Sequence, residues 1–131
     1  MIFVDSSYLF AGIVGTDDRH LEARRLGELI DAHHLVTTNH VRGETWTLLR
    51  RRWGHRIAAA FLDNLAAGRL RVVHVNESLE KEAIEWLRRH DEREYSFVDA
   101  TSFAFMRSHG IREALAFDGD FSAAGFTELR P

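Results

Sequence analysis

The chain has 131 residues, 45% of them hydrophobic and 28% charged, which suits one domain spanning residues 1–131 that holds its core without a staple. It contains no cysteine, and this excludes a disulfide framework, a thiolate metal centre and a cysteine nucleophile. The net charge of −3 does not mark a nucleic-acid binder, yet the charge is unevenly spread. Arg42 to Arg71 carries seven arginines against Glu44 and Asp63, a net +5, whereas residues 76–131 carry seven basic and twelve acidic groups, a net −5.

Ile2-Phe3-Val4 is a short apolar run ending in Asp5, and the hydroxyls of Ser6-Ser7 are expected to cap a helical turn through Leu9 to Ile13. Asp17-Asp18 then put negative charge at the start of a second helix, whose Leu21, Leu26, Leu29 and Ile30 form an apolar stripe as far as His33. Leu35-Val36-Thr37 reads as a strand. Asn39 is the expected cap of a helix carrying Val41, Thr45, Leu48 and Leu49 on one face up to Arg52, and Gly54 separates it from a helix over Ile57–Ala67. Leu70 to Val75 is a valine-rich strand, and Asn76 or Ser78 caps a helix with Leu79, Ala83, Trp86 and Leu87 at helical spacing. Ser96 opens a helix to about Ser108 that ends at Gly110. Ala114-Leu115-Ala116-Phe117 is a buried strand delivering Asp118, and Phe126–Leu129 is expected to add an edge strand.

Strands alternating with helices predict an α/β domain with a mostly parallel sheet of four or five strands, because parallel neighbours need crossover helices. Sites in such sheets form beyond the carboxyl ends of the strands, where Asp5 and Asp118 both stand. No apolar run approaches the ~18 residues of a membrane span. Met1 to Asp5 lacks a basic region and a cleavage site, so the expected location is cytoplasmic.

Four acids interrupt or terminate apolar patterns: Asp5, Glu44, Asp99 and Asp118. Each also has a local reading. Asp5 suits an N-cap, Glu44 the edge of a helix, Ser96 and Asp99 the S-x-x-D form of a capping box, and Asp118-Gly119-Asp120 a turn. If the four converge, a cation must relieve their repulsion, and hard oxygen ligands are what Mg²⁺ or Mn²⁺ prefer. The histidines lack an H-E-x-x-H pattern, no phosphate-binding glycine loop is present, and the stretch from Asp118 lacks the sixth-position Gly and twelfth-position Glu of a calcium loop. Arg50-Arg51-Arg52 with Arg56 suit either a phosphate backbone or a solvated helix end.

The motifs Val4-Asp5-Ser6-Ser7, Arg42-Gly43-Glu44-Thr45, Tyr95-Ser96-Phe97-Val98-Asp99-Ala100 and Ala116-Phe117-Asp118-Gly119-Asp120, in this order, resemble the PIN domain and within it the VapC-type ribonuclease toxins of prokaryotic toxin–antitoxin systems. The resemblance covers nearly the whole chain. It implies a PIN-like three-layer α/β/α fold and a pocket in which Asp5, Glu44, Asp99 and Asp118 gather as the catalytic set around Mg²⁺ or Mn²⁺. Asp5 and Asp99 are its implied direct ligands, with Glu44 and Asp118 completing the pocket through waters or a second ion. It further implies that Ser7 orients the first carboxylate and that Asp120 assists. Many members carry Ser or Thr two residues before the last aspartate, where this chain has Ala116.

The implied reaction is hydrolysis of RNA by a metal-activated water, with the RNA held outside the pocket by the basic segment, Arg42, Arg50, Arg51 and Arg52 in particular. A homodimer and a cognate VapB-type antitoxin are implied as well; Trp46, Trp53 and Phe61 suit either core packing, the commoner place for such side chains, or a surface for these partners. One alternative is a PIN-like module that binds RNA or protein without cleaving. Another is a receiver-like phosphoacceptor, against which Lys81, the lone lysine, stands far from every acidic motif.

Overall fold

The computed structural model describes residues 1–131. Five strands, β1 (Ile2–Val4), β2 (Leu35–Thr38), β3 (Arg71–Val73), β4 (Glu113–Leu115) and β5 (Thr127–Glu128), form one sheet in the order β3-β2-β1-β4-β5. Every pairing is parallel. The connections are therefore crossovers: α1 (Ser6–Ile13) and α2 (His20–Leu29), then α3 (Asn39–Trp53) and α4 (His55–Ala67), then α5 (Glu77–Arg89) and α6 (Phe97–Ser108), and finally α7 (Asp120–Ala123). No helix is long and apolar enough to cross a membrane.

Alternation along the central strand explains the layering. Phe3 enters a core with Val36, Ala114, α5, α6 and Phe121, whereas Val4 faces the other way, with Leu35, Leu115 and Leu26 of α2. Both faces of the sheet are thus covered by helices, and Phe3, Val4 and Val36 are fully buried, as the apolar runs require. A third cluster joins Phe10 and Val14 of α1 to Leu49 of α3 and to Ala58 and Phe61 of α4.

The chain winds outward from β1 through β2 to β3, then returns to the far side of β1 for β4 and β5. The reversal falls between β1 and β4. Their carboxyl ends therefore splay crossovers to opposite sides and leave a crevice.

Several boundaries differ from the sequence reading, each through a local side-chain bond. Asp5, not Ser6 or Ser7, caps α1. Asp17 accepts from the Arg19 amide at 2.8 Å, which delays α2 to His20. That helix stops at Leu29, and Asp31 caps a separate 3-10 turn over Ala32–His34. Thr38 takes the cap of α3 by accepting from the Val41 amide at 3.3 Å, while Asn39 turns its Oδ1 to the Val75 amide at 2.8 Å. Strand β4 ends at Leu115, so Asp118 stands on a short loop beyond it.

Candidate active site

Asp5 emerges from β1 with extended backbone and turns its carboxylate back over the first turn of α1. Its Oδ2 accepts from the Ser7 amide at 3.1 Å and from the Ser7 hydroxyl at 2.6 Å. The same hydroxyl accepts from the Phe117 amide at 3.0 Å, tying the end of β1 to the segment after β4. Asp5 Oδ1 is buried and has no partner. Burial pushes this carboxyl up to about 8, and the negative charges of Asp118 and Asp99 push the same way against the Ser7 bonds.

Asp99 occupies the first turn of α6 and completes a capping box. The Ser96 amide donates to Asp99 Oδ2 at 3.0 Å, and the Asp99 amide donates to the Ser96 hydroxyl at 2.9 Å. Both roles coexist, since the side chain also borders the crevice beside Asp118. Burial first, and then the neighbouring Asp120 and Asp118, raise the Asp99 carboxyl to about 6.

Asp118 rises to about 6 as well, through burial and then the charge of Asp120. Its Oδ1 accepts from the Asp120 amide at 3.3 Å, and the Gly119 between them has φ +82°. Glycine is favoured at that position: the φ is left-handed, and an added Cβ would lie 3.2 Å from the Arg93 guanidinium, which would have to give way. Arg93 donates to Asp120 Oδ1 at 2.6 Å and to the Asp118 carbonyl at 3.0 Å. Glu128 on β5 completes the support, accepting from the Gly119 amide at 3.3 Å and the Ser122 amide at 2.9 Å.

Glu44 projects from α3 and accepts a short hydrogen bond from the Ser6 hydroxyl. The crevice so formed has a volume of about 550 Å³, with Glu44, Asp99, Asp118 and Asp120 in its walls; Asp5 is buried outside that lining and is joined to it through its bonds with Ser7. The structure thus brings together all four acids of the sequence reading, with Ser7 and Asp120. Glu44, Asp99, Asp118 and Asp120 line the crevice and Asp5 is buried next to it, and no three of these side chains are close enough to form a ready-made ligand set. Hard oxygen donors, raised carboxyl pKa values and the unpartnered Asp5 Oδ1 fit a divalent cation such as Mg²⁺ or Mn²⁺.

The arginines separate. Arg52 reaches the rim of the crevice, with its guanidinium 5.4 Å from the Phe10 ring centre, and Arg51 borders the adjoining hollow. Arg42 instead faces a groove with Leu62, Leu65 and Val72, and exposed Arg50 lines neither space, so the structure does not bring these two to the acids. The rim holds a cation that sequence reasoning missed: Arg19, paired with Glu22 at 2.9 Å and lying 5.5 Å over the Phe117 ring. Glu128 and Arg93 were missed too. Nothing in their local sequence marks them, because their partners lie 9 and 27 residues away in the chain.

The parallel sheet and the carboxylates gathered at its reversal point locate the candidate site of an α/β enzyme fold, and comparison narrows the class. The PIN domain model matches residues 2–127. Over 131 residues, all of this chain and 99% of the relative, the protein is 58% identical to the "23S rRNA-specific endonuclease VapC20" of Mycobacterium tuberculosis, strains CDC 1551 and H37Rv. The crystal structure of M. tuberculosis VapC20, described as a sarcin-ricin loop cleaving toxin, matches with TM-score 0.95 at 57% identity, covering 100% of both chains. FitAcB from Neisseria gonorrhoeae shares the fold at TM-score 0.68 and 13% identity, over 98% of this chain and 96% of that one. The chain belongs to the PIN domain family, and its full-length likeness is to a VapC-type endonuclease toxin.

Proposed function

We propose that this protein is a divalent-metal-dependent endoribonuclease that cleaves 23S rRNA in the sarcin–ricin loop, the toxic member of a toxin–antitoxin pair. The observation that carries the reading is the buried Asp5, with one unpartnered oxygen, gathered with Asp99 and Asp118 at the sheet reversal of a chain 58% identical to a 23S rRNA-specific endonuclease.

Asp5, Asp99 and Asp118 would hold Mg²⁺ or Mn²⁺, with Glu44 and Asp120 beside them. When bound, the cation supplies charge that stabilises the leaving oxygen and makes an attacking water more acidic. The chain does the rest. Ser7 fixes the rotamer of Asp5, and through the Phe117 amide it fixes the loop that presents Asp118. Ser6 holds Glu44 against the opposite wall. Arg19, Arg51 and Arg52 provide the positive rim that an acidic pocket needs to retain a phosphate backbone. A water oxygen attacks phosphorus and gives up a proton, the bond to the leaving ribose oxygen breaks, and that oxygen takes up a proton, so that one water is consumed per bond cut.

The antitoxin and the homodimer belong to the same reading. Support comes from apolar surface on α1, α3 and α4, where Ile13, Ile57 and Trp53 are 40%, 37% and 47% exposed. The phosphoacceptor alternative has no support, since Lys81 is exposed on α5 and pairs with Glu77. The test is cleavage of a synthetic sarcin–ricin hairpin by wild type and by Asp118→Asn. The wild type cuts in Mg²⁺ and not in chelator, and the variant does not cut. Cleavage by the variant at the wild-type rate would overturn the assignment.

A further inference from the structure

A second hollow of about 650 Å³ opens beside the acidic crevice and shares Glu44 and Leu48 with it. Asn39, His40, Thr47 and Arg51 give it a polar lining. His40 stands one helical turn before Glu44 on α3, about 6 Å along the axis. Its ring stacks on Phe97, with centroids 6.1 Å apart and planes inclined by 29°. Phe97 in turn lies two residues before Asp99, so the aromatic pair stands next to two of the acids.

His40 is half-buried, but Phe97 is unusual in its exposure. Phe97 is 41% exposed, although the following positions of α6, Ala100 to Met106, are all buried. The helix does not need this ring for its core. Asn39 has its Oδ1 committed to the Val75 amide, which leaves the two N–H donors of its amide for another partner. Across the hollow stands the exposed Arg51 guanidinium. An aromatic face, a fixed amide donor and a cation beside a phosphate-processing crevice are what a splayed-out nucleotide needs: stacking, an edge contact and a phosphate contact.

We propose that this hollow is a nucleobase subsite with the His40–Phe97 pair at its margin: Phe97 stands outside the lining that His40 and Val98 supply, and a base adjoining the scissile phosphate stacks on its exposed ring there while Arg51, in the hollow, holds a neighbouring phosphate. The proposal rests on the nuclease reading above and adds to it the residues that select among RNA loops. His40 and Phe97 bind the substrate and take no part in the proton or phosphoryl chemistry.

The test uses a synthetic hairpin carrying the sarcin–ricin loop, together with the same hairpin bearing one abasic nucleotide at each loop position in turn. Fluorescence anisotropy in chelator reads binding without cleavage, and single-turnover assays in Mg²⁺ read the cut. Phe97→Ala is expected to weaken binding and slow cleavage of the unmodified hairpin by roughly 5- to 150-fold, the span of one lost base stack. Phe97→Trp should restore both, and His40→Ala should follow Phe97→Ala. On the hairpin that lacks the stacked base, the wild type should fall by the same factor, with no further loss from Phe97→Ala. Equal affinity of wild type and Phe97→Ala for the unmodified hairpin, or an undiminished Phe97→Ala penalty on every abasic hairpin, overturns the subsite. If the wild type binds but fails to cut in Mg²⁺, the nuclease reading falls instead, and the anisotropy series still decides whether a base stacks here.

Discussion

Asp5→Asn should make the metal-free protein more stable at pH 8 while abolishing cleavage at every pH. In the fold the Asp5 carboxyl titrates at about 8, against an ordinary value of 3.8. Because the folded value is the higher one, the protonated carboxyl keeps its full contribution below pH 4, and that contribution is lost as pH rises through 8. At about 1.4 kcal/mol per pKa unit, the loss at pH 8 is on the order of 5 kcal/mol. Asparagine stays neutral throughout and still accepts from the Ser7 amide. It also puts an N–H₂ group where Oδ1 has no partner, which costs about 1–3 kcal/mol. The net gain at pH 8 is therefore about 2–4 kcal/mol, or roughly 10 °C in Tm for a domain of this size. At pH 4 the same substitution should be neutral or mildly destabilising. Thermal unfolding in chelator at both pH values checks this, with urea titrations as a second probe. A variant no more stable than wild type at pH 8, or equally stabilised at pH 4 and pH 8, would refute the argument that a buried charge is stored at this position.

Three further outcomes are expected. Mg²⁺ binding at pH 7 should release protons, since Asp5 titrates at about 8 and Asp99 and Asp118 at about 6, and affinity should rise with pH from 5 to 8; calorimetry in buffers of different ionisation enthalpy measures both. Glu128→Gln should cost about 1–3 kcal/mol and slow cleavage, because a carboxylate that is 3% exposed holds the Gly119 and Ser122 amides of the Asp118 loop; urea unfolding and single-turnover rates report the two effects. Arg52→Ala should lower the salt dependence of RNA binding by about one unit of log–log slope, whereas Arg50→Ala leaves it unchanged.

The parts of the fold that could be read from the sequence are those set by local pattern. Ile2-Phe3-Val4 and Ala114-Leu115 are apolar because both faces of a parallel sheet are covered, and the acids that follow them mark the reversal point. Ser96 and Asp99 were legible as a capping box, and the structure shows that the box and the crevice use the same carboxylate. Caps chosen by tertiary contact were not legible. Asn39 resembles a cap in isolation, but its amide is drawn to Val75 on the neighbouring segment, and Thr38 takes the role. The arginines show the same limit. Arg42, Arg50, Arg51 and Arg52 read as one basic block, yet on a helix they point around the axis, so that only Arg52 reaches the acidic crevice and Arg51 the hollow beside it. Arg19 lies outside the block and arrives through the packing of α1 on α2.

The central claim, metal-dependent scission of one ribosomal loop, is tested most directly by mapping 5′ ends in ribosomal RNA incubated with wild type or Asp99→Asn, in Mg²⁺ or in chelator. The account predicts a single new 5′ end, within the sarcin–ricin loop of 23S rRNA, that appears only with the wild type and Mg²⁺. The same end produced by Asp99→Asn or in chelator, or no new end with the wild type in Mg²⁺, would contradict it.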